Sequence, residues 1–408
     1  MIAFGESDDQ KLVRDSVVQF AARTLRPRMR EFEKSRDVPA DVRRAAHGIG
    51  IPAAGLPEEV GGGGLGVLTQ VLVEEEVAYG DPAASFALGG PGPYGAAALL
   101  FGGADSARSL LAPFFAEGGH AVFGAVAWGE RKAAAHPGLS TRATRSAEGW
   151  HLTGEKAYVL NADRARSFVV FAQADGTRDW SGVEAFVVPR DASGLTVLPR
   201  QATLGLDAAS FGGIALESVG VPEGARLARS AGLAGLVEFF ALHGLSAAAR
   251  SVGLARAAFD VTREYVEERR AFGKPIGHFQ AVAFTLADRA MDLEAARAMV
   301  WRAAWLWDEA KRAADGAGTR AALLHTAWAV SFAKEAAMRA ADDAVQLHGG
   351  SGFMRDYPVE KWMRDAKQIQ LCGMTAEQAD QLAAAIALGS EPDPSLVLPS
   401  AITQNVFV

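Results

Sequence analysis

Three long stretches of helical apolar periodicity dominate the C-terminal half of the chain. They cover residues 232–270, 280–314 and 319–348, and each is far longer than an average helix. Apolar residues recur in them at intervals of three and four, as on a helix that turns one face to a core. Long helices joined by short connections pack as an up-and-down bundle. We therefore predict a C-terminal four-helix bundle over residues 226–388.

The periodicity is different in residues 121–225. Here the apolar segments are short, rich in β-branched and aromatic residues, and separated by turn signals such as Glu148-Gly149. Because no helical pattern lies between them, they predict an antiparallel barrel or sandwich and not a doubly wound sheet. The predicted strands are Ala121–Trp128, Trp150–Val159, Ser167–Ala174, Val183–Val188, Leu195–Leu198 and Phe211–Val221.

Residues 1–120 return to helical spacing. The apolar pattern predicts helices at Leu12–Leu25, ending before Pro27, then at Val42–Ile51 and at Val67–Tyr79. The four glycines before this third helix follow no strand and precede no Lys-Ser/Thr pair, so they indicate a flexible connection and not a phosphate loop. The predicted fold class is an α+β multidomain protein: helical domain, antiparallel β domain, helical bundle, and an irregular tail at 389–408.

Composition excludes several classes of function. The net charge of −7 over 408 residues argues against nucleic acid as a partner. The single cysteine, Cys372, permits no internal disulfide, and scattered histidines give no metal-ligand pattern. The N-terminus lacks the pattern of a secretory signal, and no charge-free apolar stretch has membrane-spanning length. We expect a cytoplasmic protein without a metal site or a membrane span.

Two motifs near the helix ends point to a family. A helix is predicted to stop at Gly349-Gly350, where glycine tolerates the left-handed conformation. The run from Gln346 to Lys367 reads QLHGGSGF, then YPVEK, then MRDAK, and it closely resembles the C-terminal signature of the acyl-CoA dehydrogenase flavoprotein family. The run Glu268–Gln280, ERRAFGKPIGHFQ, resembles the Arg-x-x-Phe-Gly motif of the same family. The resemblance covers residues 6–388 and implies the acyl-CoA dehydrogenase fold with FAD as cofactor.

The resemblance assigns roles at the dinucleotide end of FAD. It implies that an arginine meets the pyrophosphate, that a phenylalanine and a glutamine line the dinucleotide, and that paired glycines leave room beside it, across a subunit boundary. Guanidinium suits this role because its fork of donors matches phosphate oxygens. Because these residues act across a subunit boundary in the resembled family, the resemblance implies a homodimer or homotetramer. The residues implied are Arg269, Phe272, Gln280, Gln346, Gly349 and Gly350.

The catalytic base departs from the family pattern. In the resembled family a glutamate removes the α-proton of the acyl thioester while the flavin accepts the β-hydride. Its usual segment, Tyr-Glu-Gly-Thr, aligns with residues that end in Thr375, and the glutamate position is Gly373. A minority of the family carries the glutamate on an earlier helix, at the position of His243. A neutral imidazole can act as a base near pH 7; the alternative is a histidine that only packs in the helical core.

The side chains expected around the flavin ring are also changed. The family's Thr-Glu-Pro segment aligns with Ala127 and Trp128, and its Trp-Ile-Thr/Ser segment aligns with Tyr158 through Leu160. Both hydroxyl groups are therefore lost, although backbone N–H groups at these sites can still bond the ring. The arginine usual after Leu-Gly in the β domain is likewise Asp207.

These observations predict an FAD-dependent oxidoreductase that converts an acyl thioester, on CoA or a carrier protein, to its α,β-unsaturated product. The resemblance implies an electron-transferring flavoprotein as the acceptor. Alternatives are a flavin monooxygenase or oxidase of the same fold, a non-catalytic subunit of a heteromeric dehydrogenase, and an acyl-thioester binding module without flavin.

Overall fold

The computed structural model describes residues 6–398, apart from 132–133, 135–136, 228–231 and 314–315. Of the predicted irregular tail at 389–408, residues 399–408 lie outside the described residues. The N-terminal helices are α1 (Asp8–Phe20), α2 (Met29–Ser35), α3 (Ala40–Gly48), α4 (Val67–Gly80), α5 (Pro82–Ala87) and α6 (Gly92–Phe115).

The first helix ends before Pro27, as the sequence predicts. After α1 the chain passes through a wider helical turn at Ala21–Leu25 and a 3₁₀ turn at Arg26–Arg28. Helix α2 then begins after Arg28, whose φ of −110° and ψ of 5° are not helical. Pro27 lies in the first turn of this 3₁₀ segment, where its missing N–H costs no hydrogen bond. Helix α6, which sequence reasoning missed, is broken by a non-helical glycine at Gly103.

A seven-stranded sheet forms the middle of the molecule. Its strands are β1 (Gly124–Ala127), β2 (Arg142–Arg145), β3 (Gly149–Leu160), β4 (Ser167–Ala174), β5 (Val183–Pro189), β6 (Leu195–Leu198) and β7 (Phe211–Pro222). They lie in the order β1-β4-β2-β3-β7-β6, with β5 also paired to β4. The β domain is confirmed, but it is not wholly antiparallel, because β1 and β2 pair with β4 in parallel. Apolar periodicity gives the faces of a strand and not its direction.

The C-terminal part is a bundle of long helices, as predicted. It consists of α7 (Gly232–Glu268), a hairpin of β8 (Arg270–Ala271) and β9 (Lys274–Pro275), α8 (Gln280–Ala313), α9 (Gly316–Leu347), α10 (Val359–Ile369) and α11 (Ala376–Ala387). Within the described chain, α7 alone is long and apolar enough to cross a membrane. It packs against α4 and α9, and 56% of its apolar stretch is buried, as in the core helix of a bundle.

Buried charges on α10 connect the three parts of the molecule. The Lys361 ammonium lies 2.6 Å from a carboxylate oxygen of Asp81 and 2.7 Å from one of Asp365. The other Asp365 oxygen accepts a hydrogen bond from the backbone N–H of Leu206 in the β domain. Asp207, which the resemblance aligns with an arginine, forms an ion pair of 3.1 Å with Arg364. The acidic side chain at this position therefore has a partner on α10.

Candidate active site

A cavity of about 1240 Å³ lies between α4, α7, the β domain and the loop that joins α10 to α11. It collects predicted residues from distant parts of the sequence. Those that line it are Trp128, Tyr158, Leu160, His243 and Thr375, together with Gly373. Ala127 does not line it, because its side chain is buried in the core of the β domain.

The two positions considered for the base meet at one place in this cavity. A Cβ atom built on Gly373 would lie 3.6 Å from Cδ2 of His243 and 3.4 Å from Cα of Gly244. Gly373 itself has φ of +71°, a left-handed conformation that side-chain-bearing residues rarely adopt. His243 therefore stands beside the position that the resemblance aligns with the family's glutamate, and a glutamate at position 373 would be strained.

The environment of His243 keeps its imidazole neutral. Burial lowers the pKa of His243 to about 4, and the positive charges of Arg250 and Lys334 contribute in the same direction. The ring is nearly parallel to the ring of Phe239, with 6.4 Å between centroids. No described residue hydrogen-bonds to the imidazole. A neutral imidazole has one nitrogen with a free lone pair, so His243 can accept a proton from a ligand at neutral pH.

The loop beneath Gly373 is held by a buried lysine. The Lys334 ammonium donates to the carbonyl oxygens of Cys372 at 2.7 Å and of Met374 at 2.6 Å, and burial lowers the pKa of Lys334 to about 8. Thr375, which follows, caps α11: its Oγ1 accepts from the backbone N–H of Gln378 at 3.3 Å. Sequence reasoning missed Lys334, whose position in an apolar helical stripe gave no signal.

An ion pair fixes the wall of the cavity that the β domain supplies. Lys156 Nζ lies 2.7 Å from Glu130 Oε1 and donates to the carbonyl oxygen of Trp128 at 3.1 Å. Burial alone would raise the pKa of Glu130, but the Lys156 charge and hydrogen bonds from Ser140 and Thr141 hold it at about 2. The Lys156 ammonium thus holds the segment that carries Trp128 in place. Sequence reasoning did not identify this pair.

The remaining predicted cofactor residues lie outside the cavity, at one end of the bundle. We call them the bundle-end group: Arg269, Phe272, Gln280, Gln346, Gly349 and Gly350. The β8–β9 turn has positive φ at Phe272 and Gly273, 51° and 84°, as in a type I′ hairpin. This turn projects Phe272 into solvent, and its side chain is 95% exposed. Arg269 is also exposed, and among the described residues it has no ion-pair partner.

A stacked ring pair joins the two motifs of the bundle-end group. Tyr265, one turn before Arg269, stacks on His348 with 4.1 Å between ring centroids, and its hydroxyl donates to the His348 carbonyl oxygen at 3.2 Å. Gly349 and Gly350 follow directly, and a Cβ atom on either would contact nothing within 4 Å. The two motifs therefore share one open surface on a single chain.

Comparison with known proteins agrees with this arrangement. The N-terminal, middle and C-terminal domain models of acyl-CoA dehydrogenase match residues 7–119, 125–219 and 230–386. The chain is 32% identical to the probable acyl-CoA dehydrogenase YngJ of Bacillus subtilis over 379 residues, 92% of this chain and 96% of that protein. This chain belongs to the acyl-CoA dehydrogenase family. It is also 30% identical to the human mitochondrial short-chain specific acyl-CoA dehydrogenase, covering 88% of this chain and 85% of that protein.

A solved structure of the family shows the same fold. The butyryl-CoA dehydrogenase of Megasphaera elsdenii superposes with a TM-score of 0.84 at 27% identity, over 95% of this chain and 100% of that one. The family consists of oxidoreductases that use FAD. Similarity along nearly the whole chain shows that the acyl-CoA dehydrogenase fold is retained.

The cavity contains an unsatisfied hydrogen-bond acceptor beside Leu160. Oδ1 of Asn161 is buried and has no hydrogen-bond partner among the described residues, and Asn161 lines the cavity. A buried amide oxygen without a donor is costly, so this site suits a ligand that brings an N–H group. An isoalloxazine ring has such a group. Sequence reasoning did not identify Asn161, because a sequence does not show which buried amide lacks a hydrogen-bond partner.

Proposed function

We propose that this chain is an FAD-dependent dehydrogenase that introduces an α,β double bond into an acyl thioester. The observation that carries the proposal is the position of His243, a neutral and unpartnered imidazole beside the site of the usual glutamate. The names of the relatives, short-chain specific acyl-CoA dehydrogenase and butyryl-CoA dehydrogenase, support a CoA thioester of a short acyl chain as substrate.

His243 has a proton affinity similar to that of an ordinary glutamate. Its pKa of about 4 is close to that of an ordinary glutamate, roughly 4.3. An imidazole in this environment therefore resembles a carboxylate in proton affinity, while it carries no negative charge. We infer that His243 removes the α-proton and that the glycine at position 373 leaves space for the imidazole ring.

The residues of the chain fit FAD at both ends. Asn161 Oδ1 would accept from the ring, and backbone groups at Trp128 and Tyr158 would complete its edge. The bundle-end group would hold the pyrophosphate and dinucleotide, with Arg269 as the charged contact. Bound FAD supplies an acceptor for the β-hydride. Since the bundle-end group lies outside the cavity of its own chain, we infer that it completes the site of a neighbouring protomer.

Exposed apolar side chains support a homodimer or homotetramer. Phe272 in the hairpin is 95% exposed, and Phe284 and Met291 on α8 are 60% and 64% exposed. Phe284 and Met291 are seven residues apart and so lie on one face of the helix. Apolar surface of this kind marks a contact with another molecule. An electron-transferring flavoprotein as acceptor, and the cytoplasm as location, remain proposals by likeness to the family.

A spectroscopic titration tests the proposed function. The purified protein should be yellow, and anaerobic butyryl-CoA or hexanoyl-CoA should bleach the flavin absorbance. Bleaching by reduced nicotinamide but by no acyl-CoA would indicate a monooxygenase or oxidase instead. A flavoprotein bleached by neither would be a non-catalytic subunit. A colourless protein that takes up no added FAD would overturn the assignment as a flavoenzyme and leave only the fold.

A further inference from the structure

A hydrogen-bonded group of polar and charged side chains lines the cavity beyond the proposed base. It consists of Glu74 on α4 with Ser246 and Arg250 on α7, and we call it the polar cluster. Arg250 Nη1 donates to Ser246 Oγ at 2.6 Å, and Arg250 Nη2 donates to Glu74 Oε1 at 3.2 Å. Ser246 Oγ also donates to Glu74 Oε1 at 2.8 Å.

The polar cluster lies in the same cavity as His243, farther along helix α7. His243, Ser246 and Arg250 are spaced by three and then four residues, so they share one face of α7. Seven residues of helix separate the Cα atoms of His243 and Arg250 by about 10 Å along the axis. The Arg250 guanidinium covers the ring of Phe86, with 4.5 Å from Cζ to the ring centroid. An acyl chain that has its α-carbon at His243 and extends along this face reaches the cluster several carbons later.

The cluster has hydrogen-bonding capacity that the protein leaves unused. Arg250 Nε is buried and has no partner among the described residues, and only one carboxylate oxygen of Glu74 is bonded within the described chain. A plain alkyl chain would cover the exposed parts of Arg250 and Glu74 and offer no hydrogen bond in return, which is unfavourable. A hydroxyl or carbonyl oxygen would accept from Arg250 and restore the lost hydrogen bond.

The charge of the cluster discriminates between polar groups. The positive charge of Arg250 is balanced by the carboxylate of Glu74, and a second cavity-lining pair, Lys311 and Glu238, lies 3.8 Å apart. A carboxylate at the end of an acyl chain would meet Glu74 as a like charge. A neutral oxygen meets no such repulsion. The cluster therefore favours an uncharged hydrogen-bond acceptor over both an alkyl terminus and a second carboxylate.

We propose that the polar cluster makes this enzyme select acyl thioesters whose acyl chain carries a hydroxyl or keto oxygen several carbons beyond the Cα–Cβ bond. Arg250 is the specificity-determining residue, and Ser246 and Glu74 position its guanidinium. The proposal rests on the proposed function, because it places an acyl group in this cavity.

Calorimetric binding tests the selection without depending on turnover. The probes are CoA thioesters in which sulfur replaces the β-carbon, so that they present no β-hydrogen: the hexanoyl form, its 6-hydroxy derivative and its 6-carboxylate derivative. The purified FAD-loaded protein should bind the 6-hydroxy probe roughly tenfold more tightly than the alkyl probe, as for a hydrogen bond to a charged group. The carboxylate probe should bind no better than the alkyl probe.

Substitutions assign the preference to the cluster. Arg250→Met keeps much of the side-chain length without donors, and it should reverse the order so that the alkyl probe binds more tightly. Arg263→Met, in the exposed part of α7, is the matched control and should keep the wild-type order. Should Arg250→Met not fold, Ser246→Ala leaves the ion pair in place and should reduce the preference two- to threefold.

The outcomes separate this inference from the proposed function. Equal binding of the hydroxy and alkyl probes by the wild type, or a preference that Arg250→Met and Ser246→Ala leave unchanged, would overturn the selection and leave the dehydrogenase proposal standing. Tightest binding of the carboxylate probe would overturn the choice of a neutral group. Failure of the protein to bind any of the three thioesters would instead remove the acyl-thioester site itself.

Discussion

Cδ2 of His243 lies 3.6 Å from the point where a Cβ atom on Gly373 would stand. Two positions far apart in the sequence therefore meet at one place in the cavity. A separation of 3.6 Å is an ordinary van der Waals contact, so a side chain at position 373 would begin directly beside the imidazole. The loss of the usual base and the presence of His243 are thus parts of one arrangement, which mutation can separate.

Removal of the imidazole should abolish proton transfer and preserve binding. In His243→Gln the side chain keeps its polarity and approximate volume but has no basic nitrogen. We expect the anaerobic rate of flavin bleaching by acyl-CoA to fall by roughly 10²- to 10⁴-fold, the usual contribution of a general base. Stopped-flow absorbance measures the rate, and calorimetry measures thioester binding, which should change little. An unchanged bleaching rate would exclude His243 from the mechanism.

A carboxylate should function better at position 243 than at position 373. His243→Glu places the carboxylate on the helix that already holds the base, whereas Gly373→Glu forces a side chain onto a backbone with φ of +71°. Left-handed geometry costs about 1–2 kcal/mol for such a residue. We expect His243→Glu to exceed His243→Gln in bleaching rate, and Gly373→Glu to be less stable than the wild type in urea unfolding.

Gly373→Ala is the control for this comparison, because it introduces the backbone strain without a carboxylate. It should lose the same stability as Gly373→Glu. A Gly373→Glu protein that is as stable as the wild type and more active would show that the loop relaxes freely and that only the carboxylate was missing.

The low pKa of His243 should appear in the pH dependence of both activity and stability. With a pKa of about 4 the imidazole is neutral in the folded protein above that pH, so kcat/KM should stay level between pH 5 and 8 and fall only near pH 4. An unfolded chain binds the proton at about 6.5. The contribution of neutral His243 to the free energy of unfolding is therefore fully present above pH 6.5. It decreases by about 3 kcal/mol as the pH falls from 6.5 to 4.

Urea unfolding at several pH values between 4 and 7 measures the effect. His243→Gln should show a weaker dependence on pH in this range than the wild type. An acid limb of kcat/KM centred near 6.5 would indicate that the active base is an ordinary exposed histidine or another group.

The sequence predicted the parts of the fold that depend on long periodic patterns. Helices α7, α8 and α9 lie within a few residues of their predicted bounds because each repeats its apolar face over many turns. The four-residue strand β2 has two exposed residues in an Arg-Ala-Thr-Arg segment, and its pattern was too short to read. The parallel pairing of β1 with β4 was also missed, since strand direction is set by the connections and not by the local sequence.

The site was predictable where motifs are contiguous and not where contacts are distant. Resemblance located the bundle-end group and the position of His243, which the structure places beside Gly373. It gave no sign that Lys334 holds the loop or that Arg250 meets Glu74 across two helices. Such contacts arise from packing between elements far apart in the chain, and a single sequence carries no record of them.

The ion pair of Glu130 with Lys156 should stabilise the cavity wall strongly. Both side chains are fully buried, so Glu130→Gln leaves an ammonium group without its counter-charge. Removal of one partner of a buried pair costs about 3–5 kcal/mol, and we expect a loss of this size in urea unfolding. The double variant Glu130→Gln with Lys156→Met should be more stable than Glu130→Gln alone, because it removes the uncompensated charge.

A neighbouring pair on the same segments supplies the control. Arg131 and Glu155 lie 3.2 Å apart, but each side chain is nearly half exposed. Solvent screening limits such a pair to about 0–1 kcal/mol. Glu155→Gln should therefore change stability little, and equal losses in Glu155→Gln and Glu130→Gln would contradict the role of burial.

The bundle-end group should determine cofactor retention without contributing to the stability of the chain. Arg269 is exposed and without an ion-pair partner among the described residues, and Phe272 is 95% exposed, so neither substitution creates a cavity. Arg269→Ala removes the charged contact proposed for the pyrophosphate and should weaken FAD binding by tenfold or more, since hydrogen bonds to charged groups contribute about 1.5–3 kcal/mol.

Arg270→Ala, at the adjacent exposed position, is the matched control and should retain FAD. Dialysis followed by absorbance measures retention, and thermal unfolding of the FAD-free proteins should give the same midpoint for both variants. Equal retention of FAD by the two variants would place the pyrophosphate away from Arg269.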